Sequence, residues 1–536
     1  MSSSNTNRLT TKKSTTNFTK PFKNIVILGG GTAGWMAANL MALNWQSKGI
    51  NITLVESPAI GTVGVGEGST PQLKTFFDKI GVSENEWMPR CNATYKNGIL
   101  FKNWSTRPSF EQYFHPFASP IDAHSAPAFI YNSVYRRQSA DVDSHPDRFF
   151  LAAYLAKHHK TAIPDHNFPF PISYGYHFDS NLLGKFLVEK AIARGVKHLQ
   201  ATVSKVHLHT NTANNNELDG CIESLELDDG RKLFADLFVD CSGFRAELIQ
   251  NKLKVPFISF KENLFNDSAV TLSTPAKNHL NSQTISTAMK HGWAWDIPLR
   301  NRTGNGYVYS SDYCSADQAE TELRAKLGLL NSDVEARHLK MKVGRVKQHW
   351  AKNCLAVGLS QGFIEPLEAT ALHLVQETIE NFIDVFSAGS FTDAHQDSFN
   401  DKINERFDGI RDYIVAHYRL NSREDTQYWH DNAANPNISQ HLKSIIQAWL
   451  NGEDLNKTLA QSRQGQEKNQ NEIISYYPPV SWHCILAGYG IFPPSLQKVS
   501  ADHPAHKYDL KHIDDFIERC GLNFKDHLQF LNTNLM

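Results

Sequence analysis

The sequence predicts an α/β fold with a parallel sheet, and three stretches of the 536-residue chain lead to that prediction. An apolar run at 24–28 enters a glycine-rich turn and then a mostly apolar helix at 36–43. A second apolar strand at 52–56 follows the helix and ends in an acidic residue. A third run, at 233–240, lies far downstream and ends in a turn of small residues. Short β-branched runs that alternate with helices are typical of buried parallel strands.

The glycine turn has the residues that a dinucleotide-binding unit needs. It reads Gly-Gly-Gly-Thr-Ala-Gly-Trp at 29–35. Gly29 allows a tight turn, Gly31 lets a pyrophosphate approach the backbone, and Gly34 lets the helix pack on the sheet. The N-terminus of the helix offers N–H groups to phosphate, and Glu56 suits a ribose hydroxyl pair. We therefore predict adenine-dinucleotide binding; the alternative is a glycine turn that serves only packing.

Two later strands indicate which dinucleotide binds. The returning strand at 233–240 resembles the FAD-binding, Rossmann-like fold of flavin monooxygenases. A further strand is predicted at 353–360, and after it Pro366 suits the first turn of a helix. A second glycine fingerprint is absent from the sequence, so a built-in NAD(P)H site is unsupported and the reducing equivalents are expected from another protein.

Composition argues against several classes of protein. Basic and acidic residues nearly cancel, 54 against 55, so neither nucleic-acid nor membrane-surface binding is expected. No run approaches the roughly 20 apolar residues that cross a bilayer. Seven cysteines without a CxxC pair, and 24 histidines without an HExxH, predict neither a disulfide framework nor a metal site. We expect a cytoplasmic protein.

The chain divides by pattern into several parts. Residues 1–21 are polar and predict a disordered tail, with a transit peptide as the alternative. We predict an FAD-binding module within 22–390 that is discontinuous, with substrate-side segments between its pieces. The module takes 22–90, 180–255 and 340–390, and the substrate-side segments are 91–179 and 256–339. A mainly helical substrate-side region is predicted at 391–536.

The sequence resembles a known family, the flavin-dependent halogenases of the tryptophan-halogenase type. Two signatures carry the resemblance: the turn at 29–35, and Gly-Trp-Ala-Trp-Asp-Ile-Pro at 292–298, which matches the family's WxWxIP. Further similar blocks are Val-Gly-Val-Gly-Glu-Gly-Ser-Thr-Pro at 63–71, Tyr-Lys-Asn-Gly at 95–98, and Phe-Ile-Glu-Pro-Leu-Glu-Ala-Thr at 363–370.

The resemblance implies the activity. A separate reductase supplies reduced FAD (FADH2), oxygen and chloride or bromide yield hypohalous acid, and a small aromatic substrate is halogenated. The family uses a lysine to hold or position the halogen, and by motif this lysine is Lys96. Such a lysine can act only at a site that excludes water, where it hydrogen-bonds hypohalous acid or forms a haloamine. The acid is Glu368, with Glu365 as the alternative. The simpler explanations are a surface lysine and a first-turn glutamate.

Other residues follow from the same resemblance. The expected flavin contacts are Gly29, Gly31, Thr32, Ala33, Gly34, Glu56, Ser57, Ile60, Gly68, Val203, Leu359 and Leu372. For Val203, Leu359 and Leu372 the alternative is an ordinary core position. Halide would bind at the backbone amides of Thr370 and Ala371. The family has Thr-Gly there, so the added methyl group leaves the chloride or bromide preference open. Trp293 and Trp295 point to one face of a strand and would shield the flavin; a packed aromatic strand is the alternative.

The substrate prediction rests on two regions. His115 and Phe117 match positions that line the indole pocket, or else form a core aromatic cluster. The family's clamp on the amino-acid group follows a Tyr-Tyr pair, yet here prolines follow at 478–479 and 456–472 reads as a flexible loop. We expect an open pocket for indole or a larger indole-like compound. A tryptophan halogenase, a flavin-dependent aromatic hydroxylase and a non-catalytic flavin-binding protein are the alternatives. The oligomeric state is open, and a homodimer is one option.

Overall fold

The structure is a computed structural model, which describes residues 22–59, 61, 67–165, 167–210, 218–464, 477–500 and 502–535. The predicted tail at 1–21 and the predicted flavin contact Ile60 lie outside these residues.

Strands and helices are numbered along the chain. The strands are β1 (Asn24–Leu28), β2 (Asn51–Glu56), β3 (Glu67–Gly68), β4 (Thr94–Lys96), β5 (Gly98–Lys102), β6 (Gln112–Pro116), β7 (Lys160–Pro164), β8 (Gly175–Phe178), β9 (Lys197–Gln200), β10 (Val203–Leu208), β11 (Ile222–Leu227), β12 (Lys232–Phe234), β13 (Leu237–Asp240), β14 (Phe257–Ser259), β15 (Ser268–Pro275), β16 (Thr284–Met289), β17 (Gly292–Pro298), β18 (Arg302–Tyr309), β19 (Arg337–Lys340), β20 (Gly344–Val346), β21 (Trp350–Ala351), β22 (Cys354–Ala356), β23 (Gly362–Phe363) and β24 (Phe524–Asp526). The helices are α1 (Thr32–Trp45), α2 (Gln72–Lys79), α3 (Glu84–Trp87), α4 (Ala126–Arg137), α5 (Leu151–Lys157), α6 (Ser180–Ala193), α7 (Ala316–Leu327), α8 (Ala371–Ala388), α9 (Gln396–Arg419), α10 (Gln427–Ala434), α11 (Gln440–Leu450), α12 (Leu455–Gln464), α13 (Pro479–Gly488), α14 (Leu510–Gly521) and α15 (His527–Asn534).

A six-stranded sheet holds the predicted parallel strands, in the order β21-β22-β13-β1-β2-β9. The central strand β1 runs parallel to both of its neighbours, β13 and β2. The predicted strand–turn–helix–strand unit is therefore confirmed. The run 233–240 is two strands rather than one, because Asp236 turns aside and accepts hydrogen bonds from the N–H groups of Lys23 and Asn24. The strand predicted at 353–360 is also shorter and ends before Gly358, which has a φ of +74°.

A seven-stranded sheet, in the order β19-β15-β18-β17-β16-β5-β6, forms the second large layer. All of its pairs are antiparallel except β16 with β5. Its strand β17 carries the WxWxIP sequence and is buried along its whole length. A three-stranded sheet, β3-β8-β4, adjoins it and carries Lys96. Since β3 comes from the predicted flavin module and its partner strands do not, the exact domain boundaries stay a prediction.

Two predicted boundaries are wrong for local reasons. The helix expected from Pro366 begins only at Ala371, because Pro366–Glu368 is a single 3₁₀ turn and Ala369 has a left-handed φ of +55°. The loop expected at 456–472 is helical through Gln464, since Leu455 and Leu459 bury their side chains. Residues 465–472 lie outside the described part of the chain.

The region after residue 391 is mainly helical, as predicted, from α9 to α15. One apolar cluster links both large layers to these helices, through residues such as Trp35 on α1, Trp293 on β17 and Ile410 on α9. The protein is thus an α/β fold with a helical C-terminal region. Within the described residues, no helix combines the length and the apolarity that a membrane crossing requires.

Candidate active site

The turn after β1 has the shape that a pyrophosphate requires. A side chain at Gly29, whose φ is +112°, would overlap the carbonyl of Cys241, and one at Gly34 would overlap that of Gly29. At Gly31, by contrast, an added Cβ would meet nothing within 4 Å. Gly31 is also the N-cap of α1, and no side chain of the described residues caps that end of the helix. The first N–H groups of α1 are therefore available to an anion, and the turn fits FAD.

Several other predicted flavin contacts lie at this turn. A side chain at Gly30 would overlap the Glu56 carboxylate, and a Cβ on Gly358 would lie 2.8 Å from that of Ala33. The residue after Gly358, Leu359, is thereby brought to the start of α1. Glu56 is one quarter exposed, and its Oε1 lies 2.7 Å from Nε2 of His198.

The remaining predicted flavin contacts are spread over more of the structure. The Ser57 hydroxyl is 2.9 Å from that of Thr202, the residue before Val203. Val203 is half-buried at the start of β10, and Leu372 is buried in the first turn of α8. Gly68 lies instead beside Lys96, since a Cβ built there would be 3.3 Å from the lysine Nζ.

Lys96 is completely buried at the end of β4. Its Nζ has no hydrogen-bond partner among the described residues and lies 5.3 Å from the ring centroid of Phe117. Burial lowers the pKa of this ammonium from 10.5 to about 7, against a raising effect of Glu368. A buried amine without an internal partner costs free energy, so this environment is typical of a functional lysine rather than a surface one.

A hydrogen-bonded triplet lies beside the lysine. Nδ1 of His177 is 3.2 Å from Oγ1 of Thr94, and its Nε2 is 2.9 Å from Oγ1 of Thr284. Thr94 donates its own hydrogen to the carbonyl of Pro298 at 2.7 Å. Burial holds the pKa of His177 well below its usual range, so the imidazole is neutral next to Lys96. Sequence reasoning missed His177 and Thr284, because no motif marks them.

Glu368 is buried, and its charge interacts with that of Lys96. Its Oε1 is 2.8 Å from Nε2 of His417, a residue on α9. Burial raises the pKa of this carboxyl, while His115 and Lys96 lower it. Glu368 raises the pKa of Lys96 and Lys96 lowers that of Glu368, so the two predicted catalytic residues interact electrostatically within the buried site. His417 was not predicted.

Glu365, the alternative acid, is held through one of its oxygens, while the other, Oε1, is buried without a partner among the described residues. Its Oε2 accepts hydrogen bonds from the Trp293 indole at 2.8 Å, the Asn266 amide at 2.9 Å and the Tyr418 hydroxyl at 2.8 Å. Three donors on one oxygen stabilise the carboxylate and fix the indole. Glu365 therefore anchors the WxWxIP strand, and the geometry favours Glu368 as the acid near Lys96.

The two signature tryptophans lie on the same face of β17, as their spacing predicts. Their ring centroids are 6.0 Å apart. Trp295 packs where its partner strand has Gly306, and any side chain at that position would overlap the indole. Both rings are buried, so the strand is also a packed aromatic element.

The predicted halide residues lie at the start of α8. Thr370 is its N-cap and is buried, whereas Ala371 is the first helical residue and is exposed. Within the described part of the chain, no side chain caps this end of the helix. The N–H groups of Thr370 and Ala371 can therefore bind an anion.

The predicted substrate residues lie next to the lysine. His115 is buried on β6 with a lowered pKa, mainly because of burial, and its Nδ1 is 3.5 Å from the hydroxyl of Tyr413. Phe117 contacts Lys96 as described above. Tyr477 stacks on Tyr413 with a centroid distance of 3.6 Å, and α13 begins two residues later. The other member of the pair, at 476, lies outside the described residues. Tyr413 was not predicted.

One other group in the described chain has metal-binding chemistry. His291, Cys314 and Glu322 have ligand atoms within 4.8 Å of one another. However, Cys314 packs in an apolar cluster with Leu272 and Leu323, and burial raises the pKa of its thiol to about 11. The expectation of no metal stays a prediction.

Comparison with known proteins decides the family. The model of the family described as tryptophan halogenase matches residues 24–505. The chain belongs to the tryptophan halogenase family. It is 34% identical to the 7-chloro-L-tryptophan 6-halogenase KtzR of Kutzneria sp. (strain 744), over 95% of this chain and 98% of that protein.

Solved structures agree with this assignment. The tryptophan 6-halogenase SttH of Streptomyces toxytricini has a TM-score of 0.78 at 33% identity, covering 95% of this chain and 99% of that one. BrvH, a flavin-dependent halogenase from Brevundimonas sp. BAL3, has a TM-score of 0.77 at 31% identity, with the same coverage. This member of the family is a flavin-dependent halogenase, and the predicted family and fold class are confirmed. The family uses FAD and halide, requires a separate flavin reductase and acts on an aromatic substrate.

Proposed function

We propose that the protein uses FADH2 from a separate reductase to make hypohalous acid from oxygen and chloride or bromide. It then halogenates an electron-rich aromatic ring, in indole or a larger indole-like compound rather than free tryptophan. One observation carries the proposal: a fully buried Lys96 Nζ, without a hydrogen-bond partner among the described residues, lies 5.3 Å from the Phe117 ring centroid and interacts electrostatically with Glu368.

The flavin turn supports the cofactor assignment. The N–H groups at the start of α1 would hold the pyrophosphate, and Glu56 the ribose. When bound, reduced FAD supplies the two electrons that let oxygen and halide form hypohalous acid and water. The halide would bind at the N-terminus of α8, on the backbone amides of Thr370 and Ala371.

Lys96 and Glu368 would perform the halogen transfer. The lysine donates a hydrogen bond to the oxygen of hypohalous acid, which makes the halogen more electrophilic. The ring carbon then forms a bond to the halogen as the halogen–oxygen bond breaks, and the leaving hydroxide takes the proton that the Lys96 ammonium donates and departs as water. Glu368 accepts the proton that the ring carbon loses, so the aromatic system is restored. A haloamine on Lys96 is the alternative route, favoured by the neutral fraction that a pKa of about 7 allows.

The signature strand supports a protective role. Trp293 is fixed by Glu365, and Trp295 is fixed by its packing against Gly306. Rigid indoles between flavin and substrate would keep the substrate away from the flavin. Hypohalous acid would then be the species that reaches Lys96.

The substrate proposal rests on the aromatic surroundings of the lysine. His115 and Phe117 supply apolar surface, and the neutral imidazole of His115 adds no charge that would bind a carboxylate. Tyr477, whose ring stacks on that of Tyr413, is followed at once by α13, which leaves little chain after it for a clamp on an amino-acid group. The printed names of relatives give different information: KtzR acts on 7-chloro-L-tryptophan, whereas the name of BrvH specifies no substrate.

A competition assay tests this function. The full-length protein receives FAD, a flavin reductase, NADH and bromide, with indole and free tryptophan at equal concentration, and products are identified by mass spectrometry. We expect halide-dependent bromoindole in excess over bromotryptophan. Equal or preferred bromination of tryptophan would contradict the substrate proposal, and a hydroxylated product that forms without halide would contradict the reaction itself.

A further inference from the structure

We infer that His417 is a positioning residue for Glu368: it fixes the orientation of the carboxylate and keeps it ionised. The inference rests on the proposed role of Glu368 as the proton acceptor. His417 lies on α9, outside the motifs that identify the family, and no sequence signature assigns it a function.

The geometry is a chain of two short hydrogen bonds. Nε2 of His417 is 2.8 Å from Oε1 of Glu368, and Nδ1 is 2.7 Å from the hydroxyl of Tyr489. The imidazole is completely buried and stacks on Phe101 at a centroid distance of 4.5 Å. The edge of Trp104 closes a further side, at 5.9 Å. The ring therefore has one available orientation.

The direction of each bond follows from the charge state. Burial among aromatic rings holds the pKa of His417 well below its usual range, so the imidazole is neutral and has a single N–H. The carboxylate is the stronger acceptor, which places that hydrogen on Nε2, donated to Glu368. Nδ1 then accepts from the Tyr489 hydroxyl. Tyr489 thus selects the tautomer, and the tautomer selects the donor that faces Glu368.

A neutral donor is suited to this task. A charged histidine would form an ion pair that weakens the basicity of Glu368. The neutral N–H instead stabilises the ionised carboxylate by one hydrogen bond and leaves its second oxygen for the substrate proton. This contribution opposes the effect of burial, which raises the pKa of Glu368.

Few other groups near Glu368 can titrate in the working pH range. The ionisable side chains that sense its charge are Lys96 on β4, Tyr113 and His115 on β6, Tyr413 on α9, Cys484 on α13, and Tyr489. Burial raises the pKa of the tyrosines and of the thiol well above their usual values, and lowers that of His115. Lys96 also titrates in this range, because burial lowers its pKa to about 7. In the hydrogen-bonding route the lysine must be protonated, so its titration lowers activity on the alkaline side. In that route the acid-side loss of activity is therefore expected from protonation of Glu368.

Two amide variants separate the hydrogen bond from a packing role. The Gln amide nitrogen reaches the position of Nε2, so H417Q keeps the donor to Glu368. The shorter Asn reaches only the Nδ1 side, so H417N keeps a partner for Tyr489 and loses the donor. We expect kcat for indole bromination to fall about 10–100-fold in H417N and within about 3-fold in H417Q, from the cost of a hydrogen bond to a charged group. KM for indole should not change, because His417 does not touch the substrate.

The pH profile is the decisive readout. Without the donor, the ionised form of Glu368 is less stable, its pKa rises, and the acid-side loss of kcat/KM moves to higher pH by about one unit in H417N. H417Q should keep the wild-type profile. His483→Gln is the matched control, since His483 is also buried and has a lowered pKa but does not contact Glu368. Melting temperatures show whether each variant is folded. If H417N is not folded, Y489F replaces it. Y489F should move the pH profile less than H417N does.

The outcomes separate the inference from the proposed function. An H417N profile and kcat equal to wild type, with E368Q inactive, would overturn the role of His417 alone. Equal losses in H417N and H417Q without a shifted profile would reduce His417 to a packing residue. Full activity in E368Q would instead contradict the proposed role of Glu368, and the inference with it.

Discussion

Burial of Lys96 lowers the stability of the folded protein, and the size of this effect depends on pH. Its pKa falls from 10.5 to about 7 on burial, so between these values the unfolded chain binds more protons than the folded one. The stability penalty is full below pH 7 and disappears as the pH rises toward 10.5. We predict that Lys96→Met stabilises the protein by about 2–4 kcal/mol at pH 7 and by much less at pH 10, because it removes a buried charge.

Chemical denaturation at the two pH values measures this effect. Lys185→Met, at an exposed position on α6, is the control and should change the stability by less than about 0.5 kcal/mol. A destabilised Lys96→Met at pH 7 would show that the lysine is a structural residue with partners of its own.

Glu365 and Glu368 are expected to differ in their importance for halogenation activity. In Glu365→Gln the amide oxygen can take the place of Oε2 and accept the same three hydrogen bonds, so halogenation should stay within about 3-fold of wild type. In Glu368→Gln the side chain keeps its shape but cannot accept a proton, and kcat should fall about 100-fold or more. Product formation under saturating reduced FAD and indole measures both. The reverse ranking would make Glu365 the acid.

From the sequence, individual site residues could be predicted only where they belong to a recognisable motif. Lys96 and Glu368 belong to recognisable blocks, and the structure brings them together. His177 and His417 belong to none, because their partner atoms come from elements far away in the chain. A weak signal did exist for His417: it continues the apolar spacing of Phe407, Ile410 and Ile414 on the buried face of α9, where a polar residue is conspicuous.

At the scale of elements, strand β17 makes the sharpest prediction. Its Trp295 ring occupies the space above Gly306, and an alanine there would overlap the indole. We predict that Gly306→Ala destabilises the protein by about 2 kcal/mol or more, since a buried ring must move in a packed sheet. Gly184 on α6 is the matched control, because a Cβ there meets nothing within 4 Å, and Gly184→Ala should stabilise by up to about 1 kcal/mol. Urea midpoints measure both, and unchanged stability in Gly306→Ala would refute the packing argument.

The types of elements could be predicted from the sequence better than their ends. The strands at 24–28 and 52–56 lie as predicted, since apolar runs beside a glycine turn leave few alternatives. The start of α8 could not be predicted, because the left-handed Ala369 reflects its place in the assembled site rather than its own preference. The helix at Leu455–Gln464 is polar overall and depends on two buried leucines that the composition conceals.

At the scale of the whole molecule, the site forms where separate parts of the chain meet. Lys96 comes from a small sheet, Glu368 from the turn before α8, and His417 from the C-terminal helices. Under the proposed function, the C-terminal region would contribute to the chemistry through His417 on α9. Sequence patterns could predict this region as helical, but they could not show which of its side chains reaches Glu368.

In the proposed function, transfer of the halogen to the substrate depends on Lys96. The most direct measurement compares Lys96→Met with wild type in bromide and indole, with a scavenger of free hypohalous acid in the buffer. Oxygen uptake and bromoindole are followed together. We predict that the variant still consumes oxygen at a rate near wild type, while enzyme-dependent bromoindole falls about 100-fold or more. Bromoindole formation at the wild-type rate in Lys96→Met would contradict the account.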